Sequence, residues 1–224
     1  MSKTTKKKHP WRPCPLGEHW VKEHPRTVPV SEKNPSRHEI FVADEIYEIS
    51  SQHFKELKNK PKADAMRFPH GNDFDDLIAG WTQFWNEIFE PTEPLDPNLI
   101  KALIASESGF EVQASADSKI GVAKGLIQIT EQTRKILTDQ KGELKDFLIT
   151  LSKKEVTDPN LNLFAGIRWL FHKKYLAGHR LKREASWIEA IAEYKGILNQ
   201  LGRVKEADDI MEKLKKYHER LSKK

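Results

Sequence analysis

One cysteine, few strand signals and no apolar run as long as a bilayer is thick mark what this 224-residue chain lacks. The single Cys14 excludes an intrachain disulfide, so cysteine usage says nothing of the redox compartment. The missing apolar runs exclude a helical membrane span. The basic opening stretch SKTTKKKHPWRPCP is followed by no apolar segment and so does not read as a secretory signal. Few stretches alternate apolar and polar residues, which leaves a mainly α fold with a small irregular β element at most.

Charge is present in quantity but unevenly placed. The net charge of +5 is made of +6 in residues 1–37, +3 in residues 203–224 and −4 in between. Nucleic-acid-binding folds carry their basic face on the folded body, which here is slightly acidic. The basic ends suit solvated tails or an anionic polymer such as a cell-wall glycopolymer. Six of the twelve prolines also fall in residues 1–37, which therefore read as an irregular N-terminal arm. Within it Cys14, His19 and His24 are equally spaced, with His9 and His38 outside, but the tight ligand pairs usual for zinc are missing, so no metal is expected. Trp11 and Trp20 are placed to anchor the arm.

The rest of the chain is dominated by helical periodicity. Ile40, Val42, Ile46, Ile49 and Phe54 sit at helical spacing, and so do Phe74, Leu77, Ile78, Trp81, Trp85 and Ile88. The second stripe, closed by Pro91, is a core face before it is a sugar-stacking platform. Asp96-Pro97 then starts a helix, with an oxygen-bearing cap followed by a proline whose missing N–H costs nothing there. Leu99, Ile100, Leu103 and Ile104 form its stripe, and Gly109 offers an exit. Glu107 lies three and four residues beyond Ile104 and Leu103, on that same stripe. Burying an ionised carboxylate is costly, and a carboxyl group so placed is suited to hold and deliver a proton as a general acid. The competing reading is a Glu turned outward at a frayed helix end.

Beyond Glu107 comes a small-residue loop, EVQASADSKIGVAKG, in which GLIQIT is a candidate strand, and then a helix in EQTRKILTD. DPNLNLFAGIRWLFHKKYLAG repeats the Asp-Pro start and offers Gly178 as its end. EASWIEAIAEYKGILNQLG reads as one further helix, and Val204, Ala207, Met211, Leu214 and Leu221 define a last amphipathic one.

ALIASESGF, SKIGVAKGLIQIT, DPNLNLFAGIRWL and AIAEYKG, in this order, resemble the catalytic domain of soluble lytic transglycosylases, part of the lysozyme-like superfamily. The resemblance runs from about Asp96 to Gly196. It implies a mainly α, lysozyme-like catalytic domain (α+β with minimal β) over 96–202. Ahead of it stand the arm (1–37) and accessory helices (38–95), and a C-terminal helix (203–224) packs on it. It also implies cleavage of peptidoglycan between MurNAc and GlcNAc with formation of 1,6-anhydroMurNAc, without cofactor or metal. By position, Glu107 matches the catalytic acid. Ser118 matches a serine that contacts the sugar N-acetyl group, Gln128 a cleft-lining glutamine, and Tyr194 a tyrosine close to the acid. Lys195 departs from the family, which has asparagine there, and a cation at that place favours an ionised neighbour.

Glycosidases ordinarily need a second carboxylate, for which Glu111 and Asp117 are the candidates near Glu107. A muramidase of the same fold would use one of them to direct water. A glycan-binding component without turnover is the other alternative, and nucleic-acid binding by the arm would show as retention on DNA that vanishes with salt. The expected partners are peptidoglycan strands, with no nucleic acid and no membrane span. Synthesis in the cytoplasm without a signal peptide implies delivery to the wall by another route, with residues 1–95 loading the protein into a phage particle, a contractile secretion system or a conjugation apparatus.

Overall fold

The computed structural model describes residues 18–21, 24–27, 39–55, 57–63, 67–118, 121–144 and 147–222. Along the chain run β1 (Glu18–Val21), β2 (His24–Thr27), β3 (Glu39–Phe41), α1 (Ala43–His53), α2 (Asp75–Phe89), α3 (Pro97–Glu107), β4 (Ser115–Ser118), β5 (Gly121–Lys124) and β6 (Ile129–Thr130). They are followed by α4 (Glu131–Thr138), β7 (Phe147–Ile149), α5 (Pro159–Leu181), α6 (Trp187–Tyr194) and α7 (Lys205–Ser222). β1 and β2 form an antiparallel hairpin that carries the backbone of His19 and His24. The side chains of those two histidines and of Trp20, with Cys14, His9, His38 and Trp11, lie outside the described residues. Among the described residues no three His, Cys, Asp or Glu side chains gather to hold a metal ion, and no helix is long and apolar enough to cross a membrane.

Both Asp-Pro starts are N-caps. The Asp96 carboxylate accepts from Asn98 N–H at 2.9 Å, and Asp158 accepts from Leu161 N–H at 3.0 Å, each relieving a donor that the first helical turn leaves open. α5 is the axis of the molecule. α1, α2, α4 and α6 all pack on it, while α7 closes over α3. A single hydrophobic core runs from Phe41 to Leu221, so the helices before Asp96 and after Gly202 share it. At its centre Trp81, Phe84 and Trp85 of α2 meet Phe41 and Phe164, mostly edge to face. Trp81 donates to Asn160 Oδ1 and Trp85 to the Phe164 carbonyl, so both indole N–H groups are satisfied inside. This aromatic stripe is core, not a sugar platform.

Several local expectations are corrected. Ile40 is not helical: β3 pairs in parallel with β7, Ile40 opposite Leu148, and the helix starts only at Ala43. The GLIQIT strand shrinks to Ile129–Thr130, because Gly125–Gln128 form a tight turn. α5 passes through Gly178 and ends at Lys182, whose φ is +56°. Gly178 serves close approach instead, since a Cβ there would meet the Arg183 carbonyl at 3.0 Å. The helix expected through Gly202 breaks after Tyr194, where Gly196 takes φ +71°, and a short 3-10 turn follows at Leu198–Gln200.

Lys101 is a charge buried within the helix packing. It lies off the apolar stripe of α3 yet is fully buried, because the segment before α2 covers that side of the helix. Its ammonium donates to the Lys62 carbonyl (2.9 Å) and Asn72 Oδ1 (2.8 Å) and pairs with Asp75 at 2.8 Å. Removing one member of a buried pair strands the other charge. Asp75→Ala should therefore cost about 3 kcal/mol in urea unfolding, within the range for broken buried pairs. A loss below about 1 kcal/mol, the worth of an exposed pair, would show that Lys101 escapes to water.

Candidate active site

The chain reverses immediately after Glu107. Ser108 and Gly109 both donate backbone N–H groups to the Ile104 carbonyl, and two left-handed residues follow, Gly109 at φ +59° and Phe110 at φ +69°. That conformation is unfavourable for a phenylalanine. It is held because the Phe110 ring is buried and packs on Phe68 at 5.5 Å between centroids, and because Phe110 N–H donates to Ser108 Oγ. The turn leaves Glu107 as the last helical side chain, 16% exposed.

From the other side comes the end of α6. Its start is fixed by a capping box, Ser186 with Glu189, and its last residue, Tyr194, donates its hydroxyl to the Ile127 carbonyl at 2.6 Å. Burial, and then the nearby Glu107 charge, push the Tyr194 phenol well above its usual range, so it stays a donor. Lys195 follows as the C-cap, and its ammonium contacts Glu107 Oε1.

The third wall is the β4–β5–β6 sheet and its turn. Ser118 pairs with Gly121 at the tip of the β4–β5 hairpin, and its side chain lies outside the described residues. Gln128 sits in the turn with φ +55°. Its amide nitrogen is committed to the Gly125 carbonyl at 2.8 Å and the Ala114 carbonyl at 3.2 Å, so it stitches the loop together. Gly125 (φ +80°) permits the turn, and a Cβ there would strike Asn162 at 2.4 Å. Glu111 and Asp117 are exposed.

Glu107, Tyr194 and Lys195 are thus brought together, and Gln128 is held one residue beyond the carbonyl that Tyr194 grips. Asn162 had not been singled out from the sequence. Fully buried on α5, it accepts from Ile127 N–H at 2.9 Å and donates to the Lys124 (3.1 Å) and Val156 (2.7 Å) carbonyls. Its signal is that of Glu107, a polar residue set in an apolar helical stretch.

No curated protein matches the chain. A family does: Transglycosylase SLT domain matches residues 87–216, more than half of the sequence and all of the elements that converge on Glu107. With its mainly helical, lysozyme-like architecture, the chain belongs to the SLT transglycosylase domain family.

Proposed function

We propose that the protein is a peptidoglycan lytic transglycosylase that cleaves the MurNAc–GlcNAc bond with Glu107 as its one catalytic acid and base. Membership of the SLT family supplies the general part, a glycan-cleaving domain directed at peptidoglycan. One observation carries the rest. Of the three carboxylates at the end of α3 and in the loop and strand β4 that follow, Glu107 is withdrawn from solvent while Glu111 and Asp117 are exposed.

In this reading Glu107 protonates the glycosidic oxygen as the bond to C1 of MurNAc breaks, and the GlcNAc hydroxyl departs. The substrate's own N-acetyl group stabilises the cation developing at C1, a substrate-assisted route that needs no second carboxylate. Glu107, now a carboxylate, accepts the proton of the C6 hydroxyl as that oxygen bonds to C1. The acid is regenerated and no water is consumed. The C6 hydroxyl is tethered to the reacting ring, so its effective concentration exceeds that of loosely held water. Water prevails only where a base fixes it against C1, as in an inverting enzyme.

The masses of products from purified peptidoglycan decide between the routes. Anhydro-ended fragments, each lighter by one water than a hydrolysis product and without a reducing end, are the expected result. Mostly reducing-end fragments would reject transglycosylation in favour of a muramidase and turn attention to Asp117 and Glu111.

A further inference from the structure

We propose that Lys195 is a positioning residue for Glu107: its ammonium fixes the direction of the acid's carboxyl group and pairs with the carboxylate that forms as the proton leaves for the glycan. The inference rests on Glu107 being the acid. Its structural basis is the closed contact between the end of α6 and the end of α3. Lysine side chains ordinarily extend into water, where the ammonium is best solvated. This one is 12% exposed and reaches back across 88 residues of sequence to an equally withdrawn Glu107 Oε1.

The base of the side chain is fixed from two directions. Lys195 N–H donates to the Ile191 carbonyl at 2.9 Å, and the preceding Tyr194 is anchored by its hydroxyl on Ile127. Among the described residues, the ionisable groups brought against Glu107 are Lys195 and Tyr194, both at the end of α6. On Glu107's own helix, Lys101 is turned onto Asp75, and Glu111 of the following loop is exposed. From α7, which covers α3, His218 is engaged with Asp96 at the opposite end of the helix. Among the described residues, Lys195 is thus the cation in contact with Glu107.

A fixed cation beside a general acid has two opposed effects. It makes the acid stronger, because the carboxylate that develops as the proton departs is already paired. It also reduces the fraction of enzyme that carries the proton at neutral pH. Asparagine at the same place, as in the motif the chain otherwise resembles, would exert neither effect to this degree.

The experiment is the pH dependence of wall solubilisation by the full chain with Lys195, Lys195→Gln, Lys195→Met and Lys195→Arg. In the two neutral variants the limb where activity falls with rising pH should move up by about one to two pH units, the span an adjacent opposite charge produces. The maximal rate should fall about tenfold as the acid weakens. Lys195→Arg keeps the charge and should keep the limb where it is. A limb that stays in place in the neutral variants, with activity lowered by one factor at every pH, overturns the proposal and makes Lys195 structural. A second measurement needs no turnover: titration of the Glu107 carboxyl carbon by NMR, assigned through Glu107→Gln. A higher midpoint in Lys195→Gln than in the native chain supports the coupling, and equal midpoints reject it. This holds even if Glu107→Gln proves active and the catalytic reading is lost.

Discussion

Glu107→Gln should abolish peptidoglycan cleavage, with a loss of at least about a thousandfold. Losing a general acid alone typically costs 10²–10⁴-fold. Here the same carboxyl is asked to act twice, giving a proton to the leaving oxygen and taking one from the C6 hydroxyl, and an amide can do neither. The fold should survive. Glutamine keeps the shape of the side chain, and its Oε1 can still accept from Lys195, whose ammonium now faces a dipole instead of a charge. The stability cost of that exchange is about 1 kcal/mol, the order of one hydrogen bond. Glycan binding should persist, because the sheet and the Gln128 turn do not depend on the charge of Glu107. Solubilisation of purified walls and a thermal melt check the two halves of this expectation. Activity within tenfold of the native chain would remove Glu107 from the mechanism.

What could be read from the sequence was whatever is encoded locally. Asp96-Pro97 and Asp158-Pro159 fix helix starts through a side chain and its neighbours two or three residues on, and both stand where expected. The apolar stripe ending in Glu107 is likewise a statement about one helix, and Leu99, Ile100, Leu103 and Ile104 are all buried. The failures involve distant partners. Ile40 and its neighbours are too few to distinguish strand from helix, and β3 exists because β7, more than a hundred residues away, pairs with it. Lys101 looks like a solvent residue until the chain before α2 supplies two neutral acceptors and a carboxylate. Gly178 carries an ordinary helix-stop signal, but packing of α5 on α6 extends the helix past it, and the glycine instead lets residue 183 approach. The contact of Lys195 with Glu107 belongs to the same class. The motif placed both residues near one cleft, while their pairing depends on where the ends of α3 and α6 meet.

The other large effect should come from a residue that touches no substrate. Asn162→Ala should lower stability by about 3–5 kcal/mol, because one amide serves three backbone groups, two of them in fully buried bonds, and alanine serves none. Each stranded group costs about 1–3 kcal/mol, offset in part by water entering the space of the lost side chain. In a chain of this size that is a fall of roughly 10 °C in the melting midpoint. The consequence for activity follows from what those three bonds hold. Ile127 N–H is fixed by Asn162 while its carbonyl receives the Tyr194 hydroxyl, so a single peptide strip ties α5 to the end of α6 and hence to Lys195 and Glu107. Close approach is built in on both sides: a Cβ on Gly166 would sit 2.1 Å from Ile127 Cγ2, and one on Gly125 would collide with Asn162 itself. With the amide gone the turn loses its hydrogen bonds to α5 and keeps the packing of Ile127 on Gly166. Wall cleavage should then fall even at temperatures where the variant is folded. Asn162→Asp separates hydrogen bonding from packing, since a carboxylate still accepts from Ile127 but repels the two carbonyls that the amide served; it should be no more stable than the alanine variant. A melting midpoint for Asn162→Ala within about 2 °C of the native chain would mean a loss under about 1 kcal/mol, too little for three bonds of which two are buried, and would assign the position of the turn to the Gly166–Ile127 contact instead.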